Sequence, residues 1–596
     1  MMKARALRWL GAIASGLSTA AIFPPFGVSE LVWVSMLPLL GVLWSLGGRR
    51  CGWAGLGYGW LAGVAFFLPN LAWVRVVSPV GWGVLAGFLA LYPALWGAFV
   101  ARLAHPWGVA GPRAEAGIEG RIRDKLEARG ESHWRQSARA LRIAFAVAAA
   151  WCGVEWLRGW VFTGFGWNTL GVAFHETPVM AQAADLLGVC GLSFAPVFLQ
   201  AVLWQTGRRM IREARGRGMK PHVDFGVAVL LLALLFLYGV WRLQGVGRGE
   251  SIRLRVLLVQ LNIPQEAARM LWSTEEIHTG YQEETLEALA ELEREDVERF
   301  RDAMDEGREV TLRRPDWIMW PESALSWPVR TTEDGAWAMP LENLAVLERV
   351  QEERPVTLVF GLNELESVRF EGSLVPEEDA RFWNSLVVLP PDGELRTFRK
   401  HHLVIFGEYI PLVEQLPFLR KIYEQQSGAA YGGAFSVGES LDPLPVEIGG
   451  KAVGLLPTVC FEDTVPRLVR RFVRGGPQLI VNVTNDGWFK DSPAAAQHFA
   501  NARFRAIELR RPMLRCANTG VSAAVNAAGS SAHPETGEAQ ELRDADGSHL
   551  TRGWLLAEVD IPTEPPLTLY AVIGDWGVIV LGGLGCLAGV VGGRRS

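Results

Sequence analysis

Hydrophobic and polar positions are laid out in two different ways along this chain. Through the first 245 residues and again over the last 30, apolar residues run on for stretches close to the roughly 20 needed to cross a bilayer. Eight such windows are predicted: Leu7–Phe23, Leu31–Leu46, Trp53–Trp73, Val80–Val100, Ile143–Trp160, Ala183–Leu203, Val223–Trp241 and Val572–Val591. Between the last two the texture becomes that of an ordinary globular domain. Short β-branched and leucine-rich runs predict strands at Leu254–Val259, Trp317–Trp320, Val356–Phe360, Ser385–Leu389, Ala452–Val459 and Leu479–Val483. The stretch Glu275–Arg314 is crowded with Glu and Arg and reads as a solvated helix, an acidic insertion. The expected domains are 1–245, a membrane domain of about seven helices; 246–566, an α/β or α+β layered domain; and 567–596, a last membrane helix.

Charge supports this division. Lys and Arg collect in alternate loops, as they do on the cytoplasmic side of membrane proteins. They lie at Lys3, Arg5 and Arg8, at Arg49 and Arg50, in the Arg102–Arg142 loop, from Arg208 to Lys220, and at Arg594 and Arg595. The intervening loops around Pro24–Glu30, Val74–Gly81 and Thr163–Met180 carry almost none, Arg75 excepted. Eight spans with both termini inside place 246–566 outside the membrane. A net charge of -5 gives no electrostatic case for nucleic acid. The six Cys form no CxxC or Cys/His cluster, so neither a zinc site nor a disulfide framework is supported, and no metal or cofactor is expected. Neither a Gly-rich dinucleotide turn nor a P-loop occurs.

Three residues at strand ends carry the chemistry this pattern allows. Glu322 follows Trp320-Pro321, where proline ends the strand. Lys400 precedes His401-His402, and Cys460 closes the strand Val453–Val459. A thiol is mostly protonated at neutral pH, so a carboxylate base and an ammonium that favours the thiolate suffice to make it a nucleophile. Each residue also has an ordinary reading, as a buried small apolar residue, a turn and a basic patch, and spacing alone does not bring them together. In the apolar part, Glu155 and Arg158 share a helix face within Trp151–Trp167, either as a functional pair or as an interfacial ion pair in an aromatic belt.

The strings Trp320-Pro-Glu-Ser323, Arg399-Lys-His-His-Leu403 and Thr458-Val-Cys-Phe-Glu-Asp463 resemble the nitrilase superfamily, in which Glu, Lys and Cys arrive in this order. The whole chain resembles its membrane branch, the apolipoprotein N-acyltransferase family. That match is carried by Phe23-Pro-Pro-Phe26, Glu155–Trp160, Phe162–Trp167, Val259–Gln265, Phe406–Pro411, Asn485–Phe489, Arg503–Glu508 with Arg511-Pro512, and Asn518–Gly520. The resemblance implies a polytopic α-helical membrane domain joined to an extramembrane nitrilase-like α-β-β-α sandwich. It also implies ping-pong transfer of an acyl chain from a phospholipid, typically phosphatidylethanolamine, to the N-terminal amine of a diacylglyceryl-cysteine lipoprotein. Cys460 becomes the nucleophile, Glu322 the base and Lys400 the oxyanion holder, with Glu408 and Glu462 in support. Trp272, Asn384, Trp488, Phe489, Glu155 and Arg158 become candidate substrate or lipid contacts. The location implied is the bacterial cytoplasmic membrane, with the catalytic domain in the periplasm. Phe461 stands where the family often has Tyr, and the 275–314 segment looks long for it. A membrane-tethered amidase or nitrilase uses the same trio. A transporter or scaffold with a degenerate outer domain is the non-catalytic alternative.

Overall fold

The computed structural model describes residues 2–106, 132–215, 220–266, 269–306, 312–405, 407–410 and 434–593, with 413, 418, 420, 421 and 424. Most of the Arg102–Arg142 loop, Arg217, Phe406, Pro411, residues 307–311 and Arg594–Arg595 lie outside the described residues. The chain forms two compact units, one of Met1–Gly245 with Thr568–Ser596 and one of Val246–Leu567.

The first unit is helical, and every apolar window lies on helix. Yet only four described helices are long and apolar enough to cross a membrane: Cys51–Asn70, the joined pair from Pro79 to Arg102, His133–Arg158 and Val223–Gln244. The pair Ala184–Leu192 and Phe194–Ala214 makes a fifth if its 55° bend is counted as one span. Leu7–Phe23 lies on the unbroken helix Met2–Ala20, which is not among the four, while two further windows are broken, and the breaks have local causes. In Leu31–Leu46 a turn of 3-10 helix, Ser29–Trp33, gives way to the short helix Leu37–Leu43. At that break Gln200 accepts from the Met36 amide (2.7 Å) and donates to the Val32 carbonyl (2.8 Å), replacing helical hydrogen bonds. Before the last helix, Trp576–Gly593, Gly574 sits at φ +55 and ends Leu569–Ile573.

The second unit is built on two sheets. Its main strands in chain order are β1 (Ser251–Gln260), β2 (Trp317–Met319), β3 (Val329–Thr331), β4 (Trp337–Ala338), β5 (Thr357–Glu366), β6 (Phe382–Leu389), β7 (Arg396–Arg399), β8 (Leu444–Ile448), β9 (Lys451–Val459), β10 (Gln478–Thr484), β11 (Met513–Ala517), β12 (Ala523–Val525) and β13 (Gly553–Pro562). One sheet runs β7-β6-β5-β2-β1-β13, with β3 and β4 attached beside β5; the other runs β8-β9-β10-β11-β12. β1, β2 and β5 are parallel, as are β9, β10 and β11, and the outer strands are antiparallel. All seven residues of β10 and all five of β11 are buried, the composition expected of strands covered on both faces. The sheets touch through Cys516 on β11, whose thiol donates to the carbonyls of Val259 (3.5 Å) and Met319 (3.3 Å).

The outer face of the first sheet is covered by helices Thr274–Glu306 and Leu341–Glu353. The acidic segment is therefore not merely a solvated insertion. Ile277, Tyr281, Ala288, Leu289 and Leu292 enter the core beside Leu257, Val259 and Ile318, while the charged residues take the other face. Helices Ala494–Ala502 and Phe504–Leu509 form the crossover from β10 to β11. The parallel arrangement places the carboxyl ends of β2, β9 and β10 and their following turns where a site can be assembled.

Candidate functional site

Glu322 lies on the turn after β2, held close against β5. The Gly361 amide donates to the Pro321 carbonyl at 3.0 Å, and a Cβ at Gly361 would stand 2.5 Å from the Glu322 Cα. Only glycine permits that approach. The next residue, Ser323, takes φ +54, a left-handed conformation uncommon outside glycine. Lys400 follows β7. Its amide donates to the Asn384 carbonyl at 2.8 Å, which fixes the lysine beside the Asn384 side chain.

These side chains meet in one buried cluster. Lys400 is 1% exposed, and its Nζ donates to Glu408 Oε1 at 2.8 Å and stands 3.9 Å from Glu322 Oε1. The Asn384 amide nitrogen donates to the same two oxygens, to Glu322 at 2.7 Å and Glu408 at 3.1 Å. Glu408 Oε2 accepts from the Val404 amide at 2.9 Å. One oxygen of Glu322 is thus engaged by Asn384 and Lys400, and the carboxyl also interacts with the Cys460 thiol. Burial, reinforced by the charge of Glu408, raises the Glu322 carboxyl above its ordinary range against the pull of Lys400 and Asn384. Lys400 moves up as well. Burial alone would lower it, but the acidic groups around it, Glu408 first, then Cys460, Glu322 and Glu462, outweigh that.

Cys460 begins the short helix Cys460–Thr464 at the end of β9, at φ +54. Three features hold this strained turn. Glu462, fully buried, accepts from the amides of His401 (2.7 Å), His402 (2.8 Å) and Val459 (2.8 Å), which stitches the cysteine turn to the segment carrying Lys400. Asn482 donates to the Cys460 carbonyl at 3.1 Å. Phe461 stacks on His402, with centroids 6.0 Å apart and planes at 19°. Burial pushes Glu462 up to about 7, against Lys400 and the three amides. The Cys460 thiol is raised by burial and by Glu322 and Asp486, with Lys400 opposing. Burial and the two carboxylates thus favour the thiol over the thiolate. Neutral His402, lowered to about 4 by burial and by Arg467, Lys400 and His401, adds no charge to the pocket.

The remaining sequence candidates lie elsewhere. Trp272 packs against the helical core at Leu261 and Gly280. Trp488 and Phe489 are half-buried on the turn Asp486–Phe489 after β10. Glu155 and Arg158 belong to the helical unit, both buried. Glu155 Oε1 accepts from the Leu170 amide at 2.8 Å, and Arg158 donates to the carbonyls of Phe165 (3.2 Å) and Trp167 (2.7 Å). They hold the loop in which Phe162, Thr163 and Gly164 all take positive φ and Phe162 is 74% exposed.

Beneath the cysteine turn lies a second ionic cluster that the sequence reading missed. His498, on helix Ala494–Ala502, sits between Asp463 Oδ1 (2.8 Å from Nε2) and Asp486 Oδ1 (2.6 Å from Nδ1). Arg515 on β11 meets Asp463 Oδ2 at 3.3 Å and Asp486 Oδ2 at 3.1 Å. The only signal in the sequence is polar residues placed within otherwise apolar runs, and that does not say which of them meet.

Comparison with known families agrees with this architecture. Residues 15–202 match the model of the apolipoprotein N-acyltransferase N-terminal domain, and 258–554 match that of the carbon-nitrogen hydrolases. The apolipoprotein N-acyltransferase of Geobacter metallireducens is 31% identical over 534 residues, covering 87% of this chain and 85% of the relative. That of Agrobacterium fabrum is 30% identical over 527 residues, covering 86% of this chain and 85% of the relative. Among solved structures, a carbon-nitrogen hydrolase from Helicobacter pylori G27 is 14% identical with a TM-score of 0.31, covering 58% of this chain and 96% of that one. With a membrane-type helical unit, a carbon-nitrogen hydrolase unit and identity sustained across both, the chain belongs to the apolipoprotein N-acyltransferase family.

Proposed function

We propose that the family's transfer of an acyl group from a lipid to a lipoprotein amine runs in this chain through a thioester on Cys460, in two half-reactions. In the first, Glu322 Oε2 takes the thiol proton and the sulfur attacks the sn-1 ester carbonyl of a phospholipid, typically phosphatidylethanolamine. Lys400 holds the oxyanion, the glycerol oxygen leaves with the proton from Glu322, and a lysophospholipid departs. In the second, the α-amino group of a diacylglyceryl-cysteine attacks the thioester, Glu322 takes a proton from nitrogen, and the sulfur leaves, receiving that proton to restore the thiol and the carboxylate.

The observation that supports this reading best is the buried meeting of Glu322, Lys400 and Asn384, with the Cys460 thiol beside the Glu322 carboxyl and within the field of both charged groups. Glu408 and Asn384 keep Lys400 and Glu322 in place, and Glu462 fixes the cysteine turn. Trp488 and Phe489 are taken as apolar contacts for the acyl substrates. Glu155 and Arg158 shape the Phe162–Trp167 loop for contact with lipid. The test is an acyl-transfer assay on purified chain beside Cys460→Ser. Loss of both thioester and N-acylated product in the variant supports the proposal, and retained transfer overturns it. Release of free fatty acid without any transfer to amine would instead favour the hydrolase reading.

The alternating Arg-rich loops further support eight crossings, both termini in the cytosol and the catalytic unit on the periplasmic face of the inner membrane. A cysteine placed at exposed Asp546 should react with a membrane-impermeant maleimide in cells whose inner membrane is intact. Protection until lysis would reverse the orientation.

A further inference from the structure

The cluster beneath Cys460 has two acids and two bases. Both His498 ring nitrogens face carboxylate oxygens, Nε2 at 2.8 Å from Asp463 and Nδ1 at 2.6 Å from Asp486. A carboxylate oxygen can only accept, so both nitrogens must donate and the ring is an imidazolium. Arg515 Nη2 lies 3.0 Å from His498 Nδ1, but its acceptor is Asp486 Oδ2 at 3.1 Å. Arg515 also donates to the Val521 carbonyl at 2.7 Å. An outer pair, Arg505 with Glu508 at 2.7 Å, reaches the Asp463 carbonyl through Arg505 Nη1 at 3.3 Å. Asp463, Asp486, His498 and Arg515 are at most 2% exposed. The fit is tight: a Cβ at Gly520, which takes φ +123, would stand 2.5 Å from Asp486 Oδ2.

Position gives the cluster its meaning. Asp463 is on the cysteine turn itself, three residues after the nucleophile. Asp486 begins the turn that carries Trp488 and Phe489, and its charge acts on the Cys460 sulfur. His498 joins the two turns, and with Arg515 it balances the two acids. Taking Cys460 as the nucleophile, as read above, we propose that His498 is a positioning residue for acyl transfer. Its imidazolium ties the cysteine turn to the Asp486–Phe489 turn and cancels the negative charge that Asp486 would otherwise direct at the reacting sulfur. It touches no substrate and acts through the turn and its field. The charged groups facing the sulfur are then Glu322, Lys400 and a neutralised Asp486. Those facing His498 are Asp463, Asp486 and Arg515.

The test reads the sulfur directly and does not depend on acyl transfer. The full chain in detergent is alkylated with iodoacetamide across a pH series, and modification of the Cys460 peptide is followed by mass. His498→Gln removes the cation, so the alkylation profile should move to higher pH by about one unit, a tenfold loss of thiolate at fixed pH. Asp486→Asn removes the opposing charge and should move it to lower pH. The double variant should return close to the parent. Thioester formation from phospholipid should slow about tenfold in His498→Gln at neutral pH, recovering in the double variant. Should His498→Gln fail to give folded protein, judged by melting temperature and monodispersity, the downward shift in near-isosteric Asp486→Asn decides alone. Unshifted profiles in folded variants, or shifts of the same sign in both singles, would overturn the proposal. Retained acyl transfer in Cys460→Ser would instead overturn the thioester reading, whatever these profiles show.

Discussion

Two buried ionic clusters lie on either side of the Cys460 turn, and they differ in completeness. Around His498, no buried side-chain polar atom of Asp463, Asp486, His498 or Arg515 lacks a partner. Around Lys400, Asn384 Oδ1 is buried and unpartnered, and the Glu322 carboxyl has the Cys460 thiol beside its contacts to Asn384 and Lys400. An unsatisfied buried polar atom costs about 1–3 kcal/mol, so the open amide oxygen does not serve stability. The difference separates roles. The His498 cluster is closed on itself, while the Lys400 cluster, on the proposed function, is the one that meets the substrates. Burial raises the Glu322 carboxyl and the Cys460 thiol together, so the proton passed between them meets partners of altered affinity on both sides.

Perturbing each side should give distinct signatures. The largest effect is expected from Cys460→Ser, with acyl transfer falling by at least about a thousandfold while the melting temperature barely moves. Glu322→Gln should cost about 10²–10⁴-fold in rate with similarly little loss of stability, since the amide fills the same space and loses only the base. Lys400→Met differs in kind. It strands Glu322 and Glu408 without their cation, so stability should fall by about 3–5 kcal/mol along with activity. If both variants lost stability equally, Lys400 would not be the charge that holds this cluster together.

A pH series sharpens the His498 side. His498 is held up at about 9 by Asp463 and Asp486 against burial and Arg515. Its ordinary value is 6.5, so its contribution is complete below that pH and is lost as pH rises through 9. The amount is on the order of 3 kcal/mol. Glu462, raised to about 7 from 4.5, adds a loss of the same sign between those values. His402, lowered to about 4, works oppositely, its contribution present above pH 6.5 and lost as pH falls through 4. Chemical unfolding of the catalytic unit, followed by Trp fluorescence, should show stability declining from pH 6.5 to 9, and the decline should shrink in His498→Gln. A flat profile would remove the imidazolium from the account.

Asn384→Leu should lower transfer by about 10–100-fold, the loss of hydrogen bonds to charged groups, with Glu408 and Glu322 left nearer each other in effective charge. The smallest effect belongs to the surface. Arg381 pairs with Glu366 at 2.6 Å and lies over Trp383 at 5.0 Å, yet it is 41% exposed at the side chain. Arg381→Met should change stability by less than about 1 kcal/mol and leave transfer unchanged.

Much of this was legible in the sequence. β-branched runs fix β1, β2, β5, β9 and β10, since strands buried on both faces must be apolar throughout. Glu322, Lys400 and Cys460 stand at strand ends, Glu322 just after Pro321, and family resemblance groups them. Of the antiparallel outer strands, only β6 was legible, as Ser385–Leu389. β13 alternates Trp554, Leu556 and Glu558 without a turn signal that ties it to β1, some 300 residues earlier. The eight apolar windows show composition but not where Gly574 or the Leu187–Gly188 kink interrupts a helix. In the acidic segment, charge density hides a buried face carried by five residues over four turns. His498 was invisible for a different reason. A lone histidine in a helix reads as core or surface until its two partners, 12 and 35 residues away, are placed on either side.

The central claim is that the Lys400 cluster builds a thioester. The most direct measurement is the mass of the Cys460 peptide after incubation with phospholipid and no lipoprotein acceptor. The account predicts an increment of one fatty acyl chain on that cysteine, absent in Glu322→Gln and discharged when a diacylated lipopeptide amine is added. An unmodified Cys460 in a preparation that still N-acylates the lipopeptide would contradict it.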